Sequence, residues 1–282
     1  MSLIEAALQK AKELAATATF RAEKLPSGVV TPAPRKVRPA LDAETLAARA
    51  AQAFVIPVAS VDAQTMERHG VALEVSDKAA DRAYRILRTR VEQRMQLEKW
   101  NSVAITAAGS GEGKTLTAIN LAISLSRDVN TWVYLVDLDL QWPRVASYFG
   151  MQFGKGLGDY LAGNAEFGDI VYSPGIERLG VIPNAERMES ASDILGSHRI
   201  QELCRSLAAE MPRHIVIFDL PPLLMGDDLL KFAPHVDCML LVVSEGKTQR
   251  RSLMRAKEIL QDMKLLGVVL NRTTEQQESG YY

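Results

Sequence analysis

Two residue patterns in this sequence could handle phosphate. The first is Ala108-Gly109-Ser110-Gly111-Glu112-Gly113-Lys114-Thr115. It matches the phosphate-binding pattern G-x-x-x-x-G-K-[ST] at every required position except the first glycine, which is Ala108 here. Glycines at 109, 111 and 113 let the backbone bend until its N–H groups point inward at phosphate oxygens. A helix starting at Lys114 would add its unpaired N–H groups and its positive dipole end. Lys114 can neutralise the outer phosphates, and the Thr115 hydroxyl is a hard oxygen ligand of the kind Mg²⁺ prefers. The cradle is therefore expected to comprise Gly109, Ser110, Gly111, Glu112, Gly113, Lys114, Thr115 and Leu116. The second pattern is a set of carboxylates. Tyr134-Leu135-Val136-Asp137-Leu138-Asp139 and Ile215-Val216-Ile217-Phe218-Asp219 each place acids after an apolar run. Alternate residues of an extended chain face one side, so Asp137 and Asp139 could serve one site. Asp219 has the form of an acid that holds Mg²⁺ beside a nucleotide, often through water.

These residues work together only if the chain brings three strand ends to one edge. Short apolar runs alternate with helical patterns from Asn101 onward. Strands are expected at 103–107, 131–136, 179–182, 214–218, 238–243 and 266–270, with helices between them at 114–126, 199–209 and 251–263. This alternation predicts an α/β fold: a doubly wound, mostly parallel sheet with helices on both faces. Its ligands would lie beyond the carboxyl ends of the strands, where the cradle and the acids fall.

The N-terminal quarter reads differently. Ser2 and Glu5 have capping-box spacing, and Leu3, Ala7, Ala11 and Leu14 recur at helical spacing over 2–24. Pro26, Pro32, Pro34 and Pro39 then mark a linker. Residues 55–75 carry no decisive pattern. A helix is expected from Ser76 to about Lys99, with Tyr84, Leu87, Val91 and Met95 on one face. The expected organisation is a partly flexible segment over 1–75, a globular domain over 76–272 and a polar tail over 273–282.

Composition narrows the function classes. Apolar residues make up 47% and charged residues 24%, enough for a packed core rather than wholesale disorder. The net charge of -1 argues against a nucleic-acid binder driven by bulk charge. Cys204 and Cys238 form neither a disulfide framework nor a metal spacing. The longest apolar run, 238–243, is far short of the roughly 20 residues that span a bilayer. The first residues lack the basic and apolar regions of a secretory signal. A cytoplasmic protein is expected.

A P-loop, an apolar strand with Asp-x-Asp and an apolar strand with Asp-x-Pro-Pro, in that order, resemble the Walker A, A′ and B motifs of the bacterial tyrosine kinases. Ala83-Tyr84-Arg85-Ile86-Leu87-Arg88-Thr89 resembles the helix that precedes the P-loop in that family. Asn120-Leu121-Ala122, Pro143-Arg144 and Asp193-Ile194-Leu195-Gly196-Ser197 also match it. The resemblance covers about 76–272. It implies a P-loop NTPase fold and an ATP- and Mg²⁺-dependent autokinase that regulates capsule or exopolysaccharide production.

Carried over residue by residue, the resemblance puts Lys114 on the phosphates and Thr115, Asp137 and Asp219 around the metal. It gives Asp137 and Asp139 catalytic roles, with Asp137 the better placed to take the tyrosine proton. A protonated phenol, with a pKa near 10, is a poor nucleophile. The resemblance also puts Asn271 near adenine and makes Tyr281 and Tyr282 the phosphoacceptors. Asp81, Arg85 and Arg88 become the contacts of a homo-oligomer, a ring in this family, but Arg82 stands where the family usually has Glu. The ring then needs Asp81 as a substitute, uses another pairing, or does not form. Three further departures are Ser110 in place of the usual Pro, Gln141 in place of Arg, and only two tyrosines in the tail. The implied partners are protein tyrosine substrates and a membrane-anchored activator of the chain-length-determinant type, which would hold the chain at the inner face of the membrane. Two other readings stand beside the autokinase. One is a positioning ATPase of the MinD/ParA kind, although that group carries a further lysine early in the P-loop, where this chain has Gly109. The other is a nucleotide-switched scaffold with little catalysis.

Overall fold

The computed structural model describes residues 56–71, 78–209 and 214–273. The expected helix over 2–24, the proline-rich linker, the cap at Ser76 and the tyrosine-bearing tail lie outside the described residues. The chain divides into two units, and the described residues all fall in the second, which begins at Ile56.

Six strands form one all-parallel sheet: β1 (Ser102–Ala107), β2 (Trp132–Asp137), β3 (Leu179–Ile182), β4 (His214–Asp219), β5 (Cys238–Ser244) and β6 (Leu265–Asn271). Their spatial order is β3-β2-β4-β1-β5-β6. The chain enters at β1, crosses to β2 and β3, returns to insert β4 beside β1, and then adds β5 and β6 on the other side. All six strands fall within one residue of their expected positions. Their Val, Ile and Leu content suits strands covered on both faces.

Alternate residues sort cleanly between two cores. Val103, Ile105, Val133, Leu135, Ile217 and Leu240 bury on one face, with Ala118, Leu121 and Leu125 of α3 (Lys114–Ser126) and Val91 and Met95 of α2 (Lys78–Glu98). Ala104, Tyr134, Val136, Val216, Phe218 and Met239 bury on the other. There they meet Leu203 and Leu207 of α7 (His198–Ala209), Phe232 of α8 (Asp228–Phe232), and Ala256 and Leu260 of α9 (Arg250–Leu260). The period of two along each strand sets this division. Every residue of α3 except Leu116 is buried, so this helix is clamped against the sheet and its first turn is rigidly placed. Helix α9 ends at Leu260, three residues short of its expected end, because the Met263 amide turns back to the Leu260 carbonyl at 3.0 Å.

Residues 56–71, which showed no decisive pattern, belong to this unit. Helix α1 (Ala63–Arg68) is capped by Asp62, which accepts from the Gln64 amide. Met66, Ala59 and Val71 bury in the first core. Backbone bridges pair Val58 with Ser173 and Ser60 with Gln152. The signal was hidden because the segment has no strand or helix long enough to show a period. Three short helices complete this part of the fold: α4 (Val145–Phe149), α5 (Leu157–Leu161) and α6 (Ala191–Leu195).

Candidate nucleotide and phosphoryl-transfer site

The loop between β1 and α3 wraps the N-terminus of a buried helix. Gly111 and Gly113 adopt φ of +71° and +100°, a left-handed region that side chains avoid. Gly113 also caps α3. A Cβ at Gly113 would overlap the Asn271 amide nitrogen. That nitrogen donates to the Glu112 carbonyl at 2.9 Å, tying the loop to the end of β6. The buried Glu112 carboxylate turns inward and accepts the Ala108 amide at 3.1 Å. The loop is therefore braced from inside and outside before any ligand arrives. Ser110 is exposed and Gly109 half-buried, and Leu116 packs its side chain on the first core. Gly113→Ala is expected to strain the loop and displace Asn271, weakening nucleotide binding by about tenfold or more. Titration with a fluorescent ATP analogue, beside a thermal melt of the ligand-free protein, checks this.

Lys114 reaches back across the loop into a nest of acids. Its Nζ lies 2.7 Å from Asp139 Oδ2, 3.3 Å from Asp219 Oδ1 and 3.1 Å from Thr115 Oγ1. Burial works against its charge, but Asp219 and Asp139 outweigh that and hold its pKa above the usual lysine range. Thr115 Oγ1 donates to Asp219 Oδ2 at 2.7 Å. The order of strands explains why these groups meet. β2 and β4 are neighbours in parallel register, with Asp137 directly beside Asp219, and β1 lies on the far side of β4.

Asp137 is fully buried, and its Oδ2 accepts the Arg144 and Val145 amides at 2.9 Å each. Its Oδ1 faces the Asp139 amide at 3.3 Å. Burial, and then the neighbouring Asp219 charge, push its carboxyl well above the ordinary value. Burial raises Asp219 as well, with Lys114 and Thr115 opposing. Among the described residues no three acidic, histidine or cysteine side chains close a metal cage by themselves. This suits Mg²⁺, which keeps several waters and takes a few protein oxygens together with phosphate oxygens. One hydroxyl and one buried carboxylate, already touching, supply the donor chemistry for such an ion. The glycine bends supply room for phosphates.

Several expected residues prove to be engaged within the chain. Asp81 is held by Arg85 and, at 2.9 Å, by Arg127. Arg88 donates to the Ser124 carbonyl at 3.1 Å. These contacts fasten α2 to the C-terminal end of α3. Arg127 carried no motif and could not be found by pattern. Asp228 was also missed. It is buried and leaves Oδ1 without a hydrogen-bond partner. It stands nine residues beyond Asp219 with no motif around it. Trp142 is half exposed with the Arg187 guanidinium stacked 3.6 Å from its ring centre, and its amide donates to Asp139 Oδ1 at 3.1 Å.

Comparison with known proteins agrees with this geometry. Residues 103–281 match the model of the CobQ/CobB/MinD/ParA nucleotide binding domain. The chain is 31% identical over 221 residues to tyrosine-protein kinase YwqD of Bacillus subtilis, an alignment covering 77% of this chain and 92% of that protein. Its fold superposes on the kinase domain of the Escherichia coli tyrosine kinase ETK with a TM-score of 0.67 and 25% identity, covering 75% of this chain and 82% of the other. The septum site-determining protein MinD of Pyrococcus horikoshii, solved with Mg-ADP, shares the fold at a TM-score of 0.53 and 22% identity, covering 63% and 72%.

Proposed function

The chain belongs to the CobQ/CobB/MinD/ParA nucleotide-binding family, in its bacterial tyrosine-protein kinase branch, and on that premise we propose that it is an ATP- and Mg²⁺-dependent tyrosine autokinase regulating exopolysaccharide or capsule synthesis or export. One observation carries this reading: Lys114 lies between Asp139 and Asp219 at the mouth of the glycine loop, with Thr115 on the same carboxylate. The loop amides and Lys114 hold the triphosphate. Thr115, Asp219 and Asp137 would hold a Mg²⁺ ion, which would supply charge neutralisation on the phosphates.

In the transfer, the phenolic oxygen forms a bond to the γ-phosphorus and the bond from that phosphorus to the β,γ-bridging oxygen breaks. ADP leaves, and the phenolic proton passes to a carboxylate. Asp137 is given that role because it lies directly beside Asp219 at the end of β2, at the edge of the phosphate site. Asp139 orients Lys114. Phosphoryl transfer otherwise needs positioning and charge stabilisation, which the braced loop and the buried helix provide.

The acceptors in this reading are Tyr281 and Tyr282 of a neighbouring copy. Asn271 sits beside the base, with its amide already committed to the loop. The assembly is a homo-oligomer at the inner face of the membrane, held there by a membrane-anchored activator. Among the described residues no helix is long and apolar enough to cross a membrane. Gly109, where MinD/ParA proteins carry their additional lysine, speaks against a positioning ATPase.

Mass spectrometry of phosphotyrosine on the protein isolated from its own cells tests the proposal, with a Tyr281→Phe/Tyr282→Phe variant beside it. Phosphate on either tyrosine in the native protein, absent from the variant, is expected. A native protein that binds ATP yet carries no phosphotyrosine would sink the autokinase and leave a nucleotide-switched scaffold.

A further inference from the structure

The phosphate site has a charge deficit within its own walls. Lys114, its interior cation among the described residues, is shared by Asp139 and Asp219, and Asp137 adds a third acid beside them. A nucleoside triphosphate would bring several more negative charges. The loop that follows β5 meets this need. Lys247, an exposed side chain on that loop, donates from Nζ to the Gly111 carbonyl at 3.0 Å.

The turn that carries Lys247 is fixed beside the P-loop. The loop is a fixed turn: the Lys247 and Thr248 amides both return to the Ser244 carbonyl, and Thr248 Oγ1 accepts the Ser244 amide at 2.9 Å. Gly246, with φ of +69°, makes the bend. The Glu245 amide bonds the Asn271 carbonyl, so the same residue that braces the P-loop from β6 also anchors the turn carrying Lys247. Opposite it, position 111 favours glycine for its φ of +71°, and a Cβ there would push the Lys247 ammonium off the loop.

We propose that Lys247 is a second lysine of the phosphate site, bonding the outer phosphate oxygens of the bound nucleotide while keeping its hold on the Gly111 carbonyl. An ammonium has three donors, so one bond to the loop leaves two for phosphate. The placement restores, from another strand end, a positive charge at a loop whose own early position is Gly109. The inference rests on the nucleotide-binding reading above.

Binding of MgATP to the native protein and to Lys247→Gln and Lys247→Arg, at low and high salt, tests it. Glutamine keeps an N–H donor for Gly111 and removes the charge. Lys247→Gln is expected to weaken binding about tenfold at low salt, with a smaller gap at high salt. Lys247→Arg is expected to stay within about threefold of native, and neither change should move the ligand-free melting temperature. Native-like affinity in Lys247→Gln would overturn the proposal. So would equal losses in both variants with a lowered ligand-free melting temperature, since Lys247 would then be a strut of the loop. A native protein that fails to bind MgATP would instead overturn the reading beneath it.

Discussion

Lys114→Met is expected to lower phosphoryl transfer at least about 10³-fold, because it removes the charge that the buried helix start holds against the phosphates. The loss should exceed that of an exposed lysine for a structural reason. Lys114 contacts Asp139, Asp219 and Thr115 together, so its removal also frees two buried carboxylates to repel incoming phosphate. The same change leaves those acids without their counter-ion, and breaking a buried pair costs about 3 kcal/mol or more of stability. Steady-state transfer to a tyrosine peptide measures the first effect, and urea unfolding of the ligand-free protein measures the second. An inactive variant as stable as native would show that the acids protonate when Lys114 is lost.

Asp137→Asn should move activity and stability in opposite directions. Losing the proton acceptor is expected to lower transfer about 10²- to 10³-fold. The ligand-free protein should gain about 1–2 kcal/mol, since the substitution removes a buried charge beside Asp219. Asparagine retains one oxygen for the Arg144 and Val145 amides. The pH dependence gives the sign. A carboxyl with a raised pKa in the folded state contributes its full share of stability below the unfolded value near 3.8, and that share is lost as pH rises through the folded value. The advantage of Asp137→Asn over native should therefore grow as pH rises from about 4 and level off above the folded pKa. Urea midpoints at several pH values, without metal or nucleotide, measure it. A variant less stable than native at neutral pH would show that the capping bonds to α4 outweigh the buried charge.

The sheet was legible because its information is local. Each strand is an unbroken apolar run, and the glycines and acids that matter follow directly after such runs. Such runs put Asp137 and Asp219 at strand ends, Asp139 just beyond one, and Lys114 and Thr115 at the helix start that follows β1. What could not be read was which contacts the strand order would create. Nothing near Asn271 in the sequence shows that its amide will brace Glu112, 159 residues away. Nothing near Lys247 shows that it will reach Gly111, 136 residues away. Asp81 illustrates the same limit from the other side. Nothing near Asp81 in the sequence shows that Arg127, from the end of α3, will pair with it within the chain.

The bond from Asn271 to the nucleotide loop also sets a length. Tyr281 is ten residues beyond Asn271, and an extended chain covers at most about 3.3–3.6 Å per residue. The phenol of Tyr281 is thus leashed to the rim of its own cradle by a tether of about 35 Å of backbone. If one copy is to modify another, the two cradle rims cannot stand much farther apart than that span. On the autokinase proposal, neighbouring sites would then have a maximum pitch. Lengthening the chain between Thr273 and Tyr281 by a few residues would relax this spacing rule without touching the chemistry.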